Sequence, residues 1–328
     1  MNRLRREAFE RLTEQLLKPF CRTLSSEETE DMTWSEKEQL CFQNEKRLPV
    51  WENGKGIPAL NVYLEEIAAL PTLLRQNLAD GFYLPLETLG ESASDLLTLT
   101  EQIHRAGKKV YFAIPTVFQK KTRDYVLSLK EEILAAKPDA LLVRTMDSLA
   151  FCKQEFTDIA LIIDYSLYTY NQKACEKALE LGVLGRVLPV ELTFRELESV
   201  KSQSDELIVY GRLPVMFAAN CIRKTTTGCT KSPEVIWLKD RKGKQFPVKN
   251  HCVICSNTFY NSSPLHLLDC TAEVKRIAPA AIRLNFTTED TQTICRLVEA
   301  YDRVYKQEKT ANCPIDDFTR GHYRRGME

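Results

Sequence analysis

From residue 57 onward the hydrophobic positions keep switching period. Short runs rich in β-branched and aromatic residues read as strands: Ala59–Tyr63, Gly81–Leu84, Lys109–Ile114, Ala140–Arg144, Ala160–Asp164, Arg186–Val190, Glu206–Tyr210 and Ala281–Asn285. Between and after them, apolar residues recur at helical spacing over Leu64–Asn77, Ala93–Ala106, Thr122–Ala136, Gln172–Leu181, Thr193–Ser202 and Thr288–Lys306. Strand and helix alternating in this way build βαβ units around a parallel sheet. Eight strands predict an α/β fold of the (β/α)8, TIM-barrel-like class; an open doubly wound sheet is the alternative.

The rhythm breaks once, over residues 212–270 between the seventh and eighth strands. Within that break, Val235–Val248 reads as a β-hairpin turning at Arg241-Lys242-Gly243. In a barrel, an insertion after strand seven lies on the C-terminal face, where active sites form. At the other end, Leu4, Phe9, Leu12, Leu16 and Leu17 mark a helix, and the acidic stretch to residue 56 reads as a linker arm. The expected organisation is an arm over 1–56, a barrel over 57–310 and a basic tail over 311–328. The opening looks like the end of a preceding domain.

Composition changes this picture little. Hydrophobic residues make up 44% and charged residues 27% of 328, ordinary for a globular chain. The 45 basic and 45 acidic side chains cancel, which excludes a global field for nucleic acid or membrane but not a local one. The charged N-terminus is unlike a signal peptide, and no apolar run approaches the roughly 20 residues of a membrane span. A cytoplasmic location is expected, and the 11 cysteines are then free thiols or metal ligands.

Four of those cysteines fall inside the insertion: Cys221, Cys229, and the Cys252-Val-Ile-Cys255 pair. Thiolates select zinc or an iron–sulfur cluster over harder ions. Buried free cysteines are the bland alternative, and it suits the isolated Cys21, Cys41, Cys152, Cys175, Cys295 and Cys313. It suits the insertion less, because Arg223, Lys224, Lys231, Asn250 and His251 surround the four. Cys270, at the end of an apolar run, is a fifth candidate.

Polar residues gather at the predicted strand ends. Asp164, Glu191 and Arg212 are the catalytic candidates, with Glu87 a further mouth carboxylate. Arg144, Arg283 and Asn285 would recognise an anionic or planar substrate, and Tyr168 and Asn171 would stack on it or hydrogen-bond it. No Ser/His/Asp constellation, Gly-x-Ser-x-Gly or His-Glu-x-x-His is present. Of the four histidines, His104 reads as a surface group, His266 as structural, His322 lies in the basic terminal segment, and His251 reads either as a group supporting the cysteine site or as a solvated loop residue. The basic Thr319–Arg325 segment, with its one tyrosine, would suit RNA or plain solvation.

Residues 206–221, Glu206-Leu-Ile-Val-Tyr-Gly211 through Cys221, resemble the signature of peptidase family U32, the collagenase-like proteases. Asp164–Asn171, Val190–Thr193, Asp240–Val248, Tyr260–Ser262 and Thr319–His322 resemble other segments of the family. The first signature cysteine is replaced by Pro214 and a glycine by Ala219, so Cys229, Cys252 and Cys255 become the partners of Cys221. The resemblance implies two kinds of activity. One is proteolysis. The other is oxygen-independent, [4Fe–4S]-dependent hydroxylation of an RNA base or a small aromatic molecule. The iron–sulfur activity is the favoured expectation, with peptide, RNA base and small aromatic acid all open as substrates. A non-catalytic module, held by zinc or a cluster within a larger two-barrel protein, is the third reading.

Overall fold

The structure is a computed structural model describing residues 2–18, 51, 56–89, 94–202 and 204–326. It divides into two units, residues 1–33 and 34–328. In the first, the helix Asn2–Leu17 carries the predicted stripe, and Phe9, Leu12, Leu16 and Leu17 are exposed. Most of the predicted linker arm, with Cys21 and Cys41, lies outside the described residues.

In the second unit, β1 (Ala59–Leu64), β2 (Gly81–Pro85), β3 (Lys109–Ala113), β4 (Ala140–Val143), β5 (Leu161–Ile163), β6 (Gly185–Val187), β7 (Asp205–Gly211) and β13 (Ala281–Phe286) form one parallel sheet. The order runs β7-β13-β1-β2-β3-β4-β5-β6, and β6 pairs back with β7, closing an eight-stranded barrel. The TIM-barrel expectation is met, and the closing pairs rule out the open sheet. β2, β4, β5, β6 and β7 are buried at every position, as expected of a parallel sheet covered on both faces, here by helices outside and by side chains from the opposite strands inside.

Two glycines let strands come this close. A Cβ on Gly81 would stand 2.6 Å from Asn61 Oδ1 and 2.8 Å from the Tyr111 ring, inside the barrel. Gly211, at φ +134°, lies where a Cβ would meet the Asn285 carbonyl at 2.4 Å. That position ends β7 and starts the insertion, so only glycine allows the chain to turn there. Trp51 is 4% exposed and packs on Tyr111 and Gly185, at the start of β6.

Several boundaries differ from the expectation. The predicted helix 122–136 is two, Lys120–Ser128 and Lys130–Ala136. A helix that periodicity misses, Met146–Glu155, links β4 to β5; a capping box between Thr145 and Ser148 starts it. Another, Thr271–Ile277, precedes β13.

The insertion is a four-stranded antiparallel sheet, ordered β8-β11-β10-β9: β8 (Pro214–Ala218), β9 (Val235–Lys239), β10 (Gln245–His251) and β11 (Ser256–Tyr260). The predicted hairpin is β9–β10, with Gln245 opposite Lys239. A short helix, Ile222–Thr226, follows Cys221. The segment after residue 310 is woven into the fold. Thr319 bridges to Leu265 in the short strand β12 (Leu265–His266), and Tyr323 is buried, stacks on Phe194 at 5.1 Å and donates to the Ile208 carbonyl.

Candidate active site

The strand register brings a charged cluster into the barrel interior. Arg283 on β13 is 1% exposed; its Nη2 donates to Asp164 Oδ1 at 2.7 Å and its Nη1 lies 3.1 Å from Glu206 Oε2. Asn61 on β1 and Tyr83 on β2 donate to Glu206 at 2.6 and 3.0 Å, and the Arg283 guanidinium stacks over the Tyr83 ring. Arg144, at the end of β4, donates from Nε to Asp164 Oδ2 at 3.2 Å and from Nη1 to Thr116 at 3.2 Å.

Burial by itself pushes carboxyl groups up, and these two respond differently. For Asp164, Arg283 and Arg144 together outweigh burial and hold it below its ordinary value. Burial wins at Glu206, where Arg283, Asn61 and Tyr83 offset it only in part and the group rises to about 6. Glu87 also rises, because burial exceeds the pull of His251 and Arg144. One Glu87 carboxylate oxygen is buried with no hydrogen-bond partner among the described residues.

Above this cluster the insertion forms a lid. Its latch is Glu65, just after β1, which accepts from Tyr260 OH and lies 3.2 Å from Lys249 Nζ. Lys249, 2% exposed, also donates to Glu66 at 2.8 Å. Between lid and barrel is a cavity of about 40 Å³. Tyr63, Glu65, Glu87, Arg144, Asp164 and Asn285 line it from below, and Phe217, His251, Ile254, Thr258 and Tyr260 from above. The cavity is narrow at its floor, where the buried charges of barrel and lid meet. His251 Nε2 is 2.9 Å from Thr258 Oγ1.

A second cleft, of about 680 Å³, adjoins the first and shares Glu65, Glu87 and His251 with it. Cys229, Cys252 and Cys255 line its far side with Lys121, whose Nζ is 2.8 Å from Cys255 Sγ. The Cys252 thiol is pushed up by burial and then by the charges of Cys221, Cys229 and Cys255, so all four predicted thiols are electrostatic neighbours. Among the described residues no three His, Cys, Asp or Glu side chains converge tightly enough for a single metal ion. Thiolates are the donor type that zinc and iron–sulfur centres use.

The structure therefore gathers Arg144, Asp164, Arg212 and Asn285 around the mouth, with Arg283 directly beneath, and places the four cysteines beside it. It does not bring in the other three candidates. Glu191 accepts from Tyr170 OH, Tyr168 is 57% exposed, and Asn171 caps the helix Gln172–Glu180 by accepting from Ala174 N at 2.9 Å. Glu65 and Lys249 are site residues that the sequence reading did not single out, while Glu206 and Tyr260 entered it only within the segments that resemble the family. The Glu206 signal was an acid inside an otherwise apolar strand, which burial tolerates only when it is paired.

The lid also differs from the barrel in charge. Residues 212–262 hold nine Lys and Arg against two Asp and Glu, a net +7, while the whole chain nets zero. Lys224, Lys231, Lys239, Arg241, Lys242 and Lys244 are exposed, as are Met216, Phe217 and Trp237, with Arg212 placed 5.9 Å from the Trp237 ring.

Comparison with known proteins agrees with the sequence reading. Residues 90–233, a range that includes Cys221 and Cys229 but stops short of Cys252 and Cys255, match the model of peptidase family U32. No curated protein matches the chain. Among solved structures, the U32 peptidase Mk0906 is similar at 9% identity and TM-score 0.38, over 49% of this chain and 72% of its own. A putative fructose-1,6-bisphosphate aldolase from Coccidioides immitis is similar at 9% identity and TM-score 0.41, over 77% and 79%. Thiamine phosphate pyrophosphorylase from Pyrococcus furiosus is similar at 10% identity and TM-score 0.38, over 74% and 96%.

Proposed function

We propose that this chain, whose residues 90–233 carry the family U32 signature, is an iron–sulfur-dependent modifying enzyme acting on RNA in the lidded mouth of its barrel. One observation carries the reading: the cysteine-lined cleft and the mouth cavity share the wall formed by Glu65, Glu87 and His251. Cys221, Cys229, Cys252 and Cys255 would hold a [4Fe–4S] centre there, and when bound it supplies one-electron chemistry next to the substrate.

The chain's own residues do the rest. Arg144 is anchored by Asp164, which orients its guanidinium toward a substrate carbonyl or phosphate. Burial keeps a proton on Glu87 to higher pH than an ordinary carboxyl, so it can donate to a substrate oxygen or nitrogen. Closing the lid excludes water from a chamber lined by charged groups, which strengthens every one of these contacts. The exposed cations and aromatics of the lid favour an anionic polymer with bases to stack, hence RNA over a peptide or a small aromatic acid. No helix among the described residues is long and apolar enough to cross a membrane.

A hydrolytic reading draws on one contact, the His251–Thr258 pair, in which the hydroxyl would attack a peptide carbonyl as the imidazole takes its proton. Iron and acid-labile sulfide analysis of anaerobically isolated protein separates the two. Brown protein with about four irons and four sulfides per chain, both lost in Cys252→Ala, supports the first. Colourless protein with stoichiometric zinc, cleaving peptides until Thr258→Val is introduced, overturns it.

A further inference from the structure

We propose that Lys121 sets the reduction potential of the centre held by the four insertion cysteines, making its reduced state easier to reach. This rests on the iron–sulfur reading of their cleft. Lys121 belongs to the barrel, on the helix Lys120–Ser128 that follows β3, yet its Nζ donates to Cys255 Sγ at 2.8 Å. Among the described residues it is the barrel side chain that hydrogen-bonds one of the four thiols.

Local rules disfavour this placement. Lys120 and Lys121 open the helix, its first turn holds no acidic residue, and Gln119 at its N-cap makes no side-chain capping bond. A helix N-terminus favours anions, so cations there are unfavourable unless a negative group faces them. Lys121 lines the cysteine cleft, whereas Lys120 turns to another cleft whose lining includes Asp124 and Asp147.

Both ends of the contact are held by their own bonds. Thr122, 2% exposed, donates from Oγ1 to the Val117 carbonyl at 2.7 Å, and Arg123 N donates to the Gln119 carbonyl at 2.9 Å. Across the cleft, Cys255 N donates to the Cys252 carbonyl at 3.3 Å. Cys255 takes φ +54°, a conformation that residues other than glycine rarely adopt and that concentrates at functional turns. Adding an electron to a thiolate-ligated cluster increases its negative charge. A hydrogen bond to a ligand sulfur and a nearby positive charge each offset that increase, and Lys121 Nζ supplies both. One electron enters from an external reductant, and no bond of Lys121 forms or breaks.

The test uses the full chain, isolated without oxygen and titrated with dithionite against mediator dyes, with the midpoint potential read from the EPR signal of the reduced centre. Lys121→Met should weaken reduction about tenfold, a fall of about 59 mV for one electron, with iron and sulfide content unchanged. Lys121→Arg, which keeps the charge, should stay close to the wild type. Lys120→Met should change the equilibrium by no more than about twofold, because salt screens an exposed charge outside the cleft. Equal potentials in Lys121→Met and the wild type, equal falls in Lys121→Met and Lys120→Met, or loss of the cluster from Lys121→Met alone overturns the proposal and leaves the iron–sulfur reading standing. Wild-type protein without iron and sulfide overturns that reading, and the proposal with it.

Discussion

Barrel and lid handle charge in opposite ways. Inside the barrel, Arg283, Asp164 and Glu206 are almost wholly buried and hold one another, so each charge is neutralised within a few ångströms. On the lid, six exposed cations face outward, and among the described residues Arg223 and Lys249 are the lid cations with carboxylate partners. Charge that is paired in a low-dielectric interior fixes geometry, while charge left unpaired at a surface attracts a partner. Under the proposed function the first would set where the substrate group sits, and the second would bring the substrate there.

The comparison breaks most sharply at Arg283. Replacing it by Ala leaves two buried carboxylates facing each other, and the barrel should lose about 3–5 kcal/mol in urea unfolding. Lid variants such as Lys242→Ala should shift the same transition by no more than about 0.5 kcal/mol. Next comes the seam between the two regions. Gly211→Ala combines a disfavoured φ with a Cβ placed against the Asn285 carbonyl, and should cost about 3 kcal/mol in the same assay.

A pH titration sharpens the contrast within the barrel. Glu206 is raised from 4.5 to about 6, so the folded state keeps a proton that the unfolded state releases. Its contribution is full below pH 4.5 and is lost as pH rises to about 6, on the order of 2 kcal/mol in all. Asp164, held below 3.8, behaves in reverse: its contribution is present above that value and is lost on acidification. Glu206→Gln should flatten the stability profile between pH 4.5 and 6 and leave the acid limb unchanged. The smallest effect on the fold should come from Trp237→Ala. Stability should stay within about 0.5 kcal/mol, while single-stranded RNA binding, read by fluorescence anisotropy, should weaken by about 1–3 kcal/mol.

The barrel strands were legible because burial on both faces forces continuous apolar runs, which the turns then punctuate. The helix Met146–Glu155 was not, because its start signal is a Thr145/Ser148 capping box and its sequence carries almost no amphipathic contrast. At the site, Asp164 and Arg144 were readable as polar residues ending apolar strands. Glu65 was not, since its role depends on Lys249 and Tyr260 folding back from nearly two hundred residues away. That the four insertion cysteines lie near one another was legible by spacing alone. Asn171 misled because a helix cap and a ligand-binding amide look identical in sequence, and the local hydrogen bond claims it first.

The closure of the barrel has a consequence in time. β1 finds its second neighbour only in β13, with Ala59 opposite Ala281 across 222 positions of chain. During synthesis at roughly 5–20 residues per second, that partner emerges about 10–45 s after β1 does. Throughout that interval Leu60, Val62 and Leu64 stand on an unpaired edge, one that nascent chains pair wrongly or hand to chaperones. Yield in a cell should therefore depend on how this delay is managed, and slowing translation between residues 64 and 281 should lower the soluble fraction before any change in the finished fold is seen.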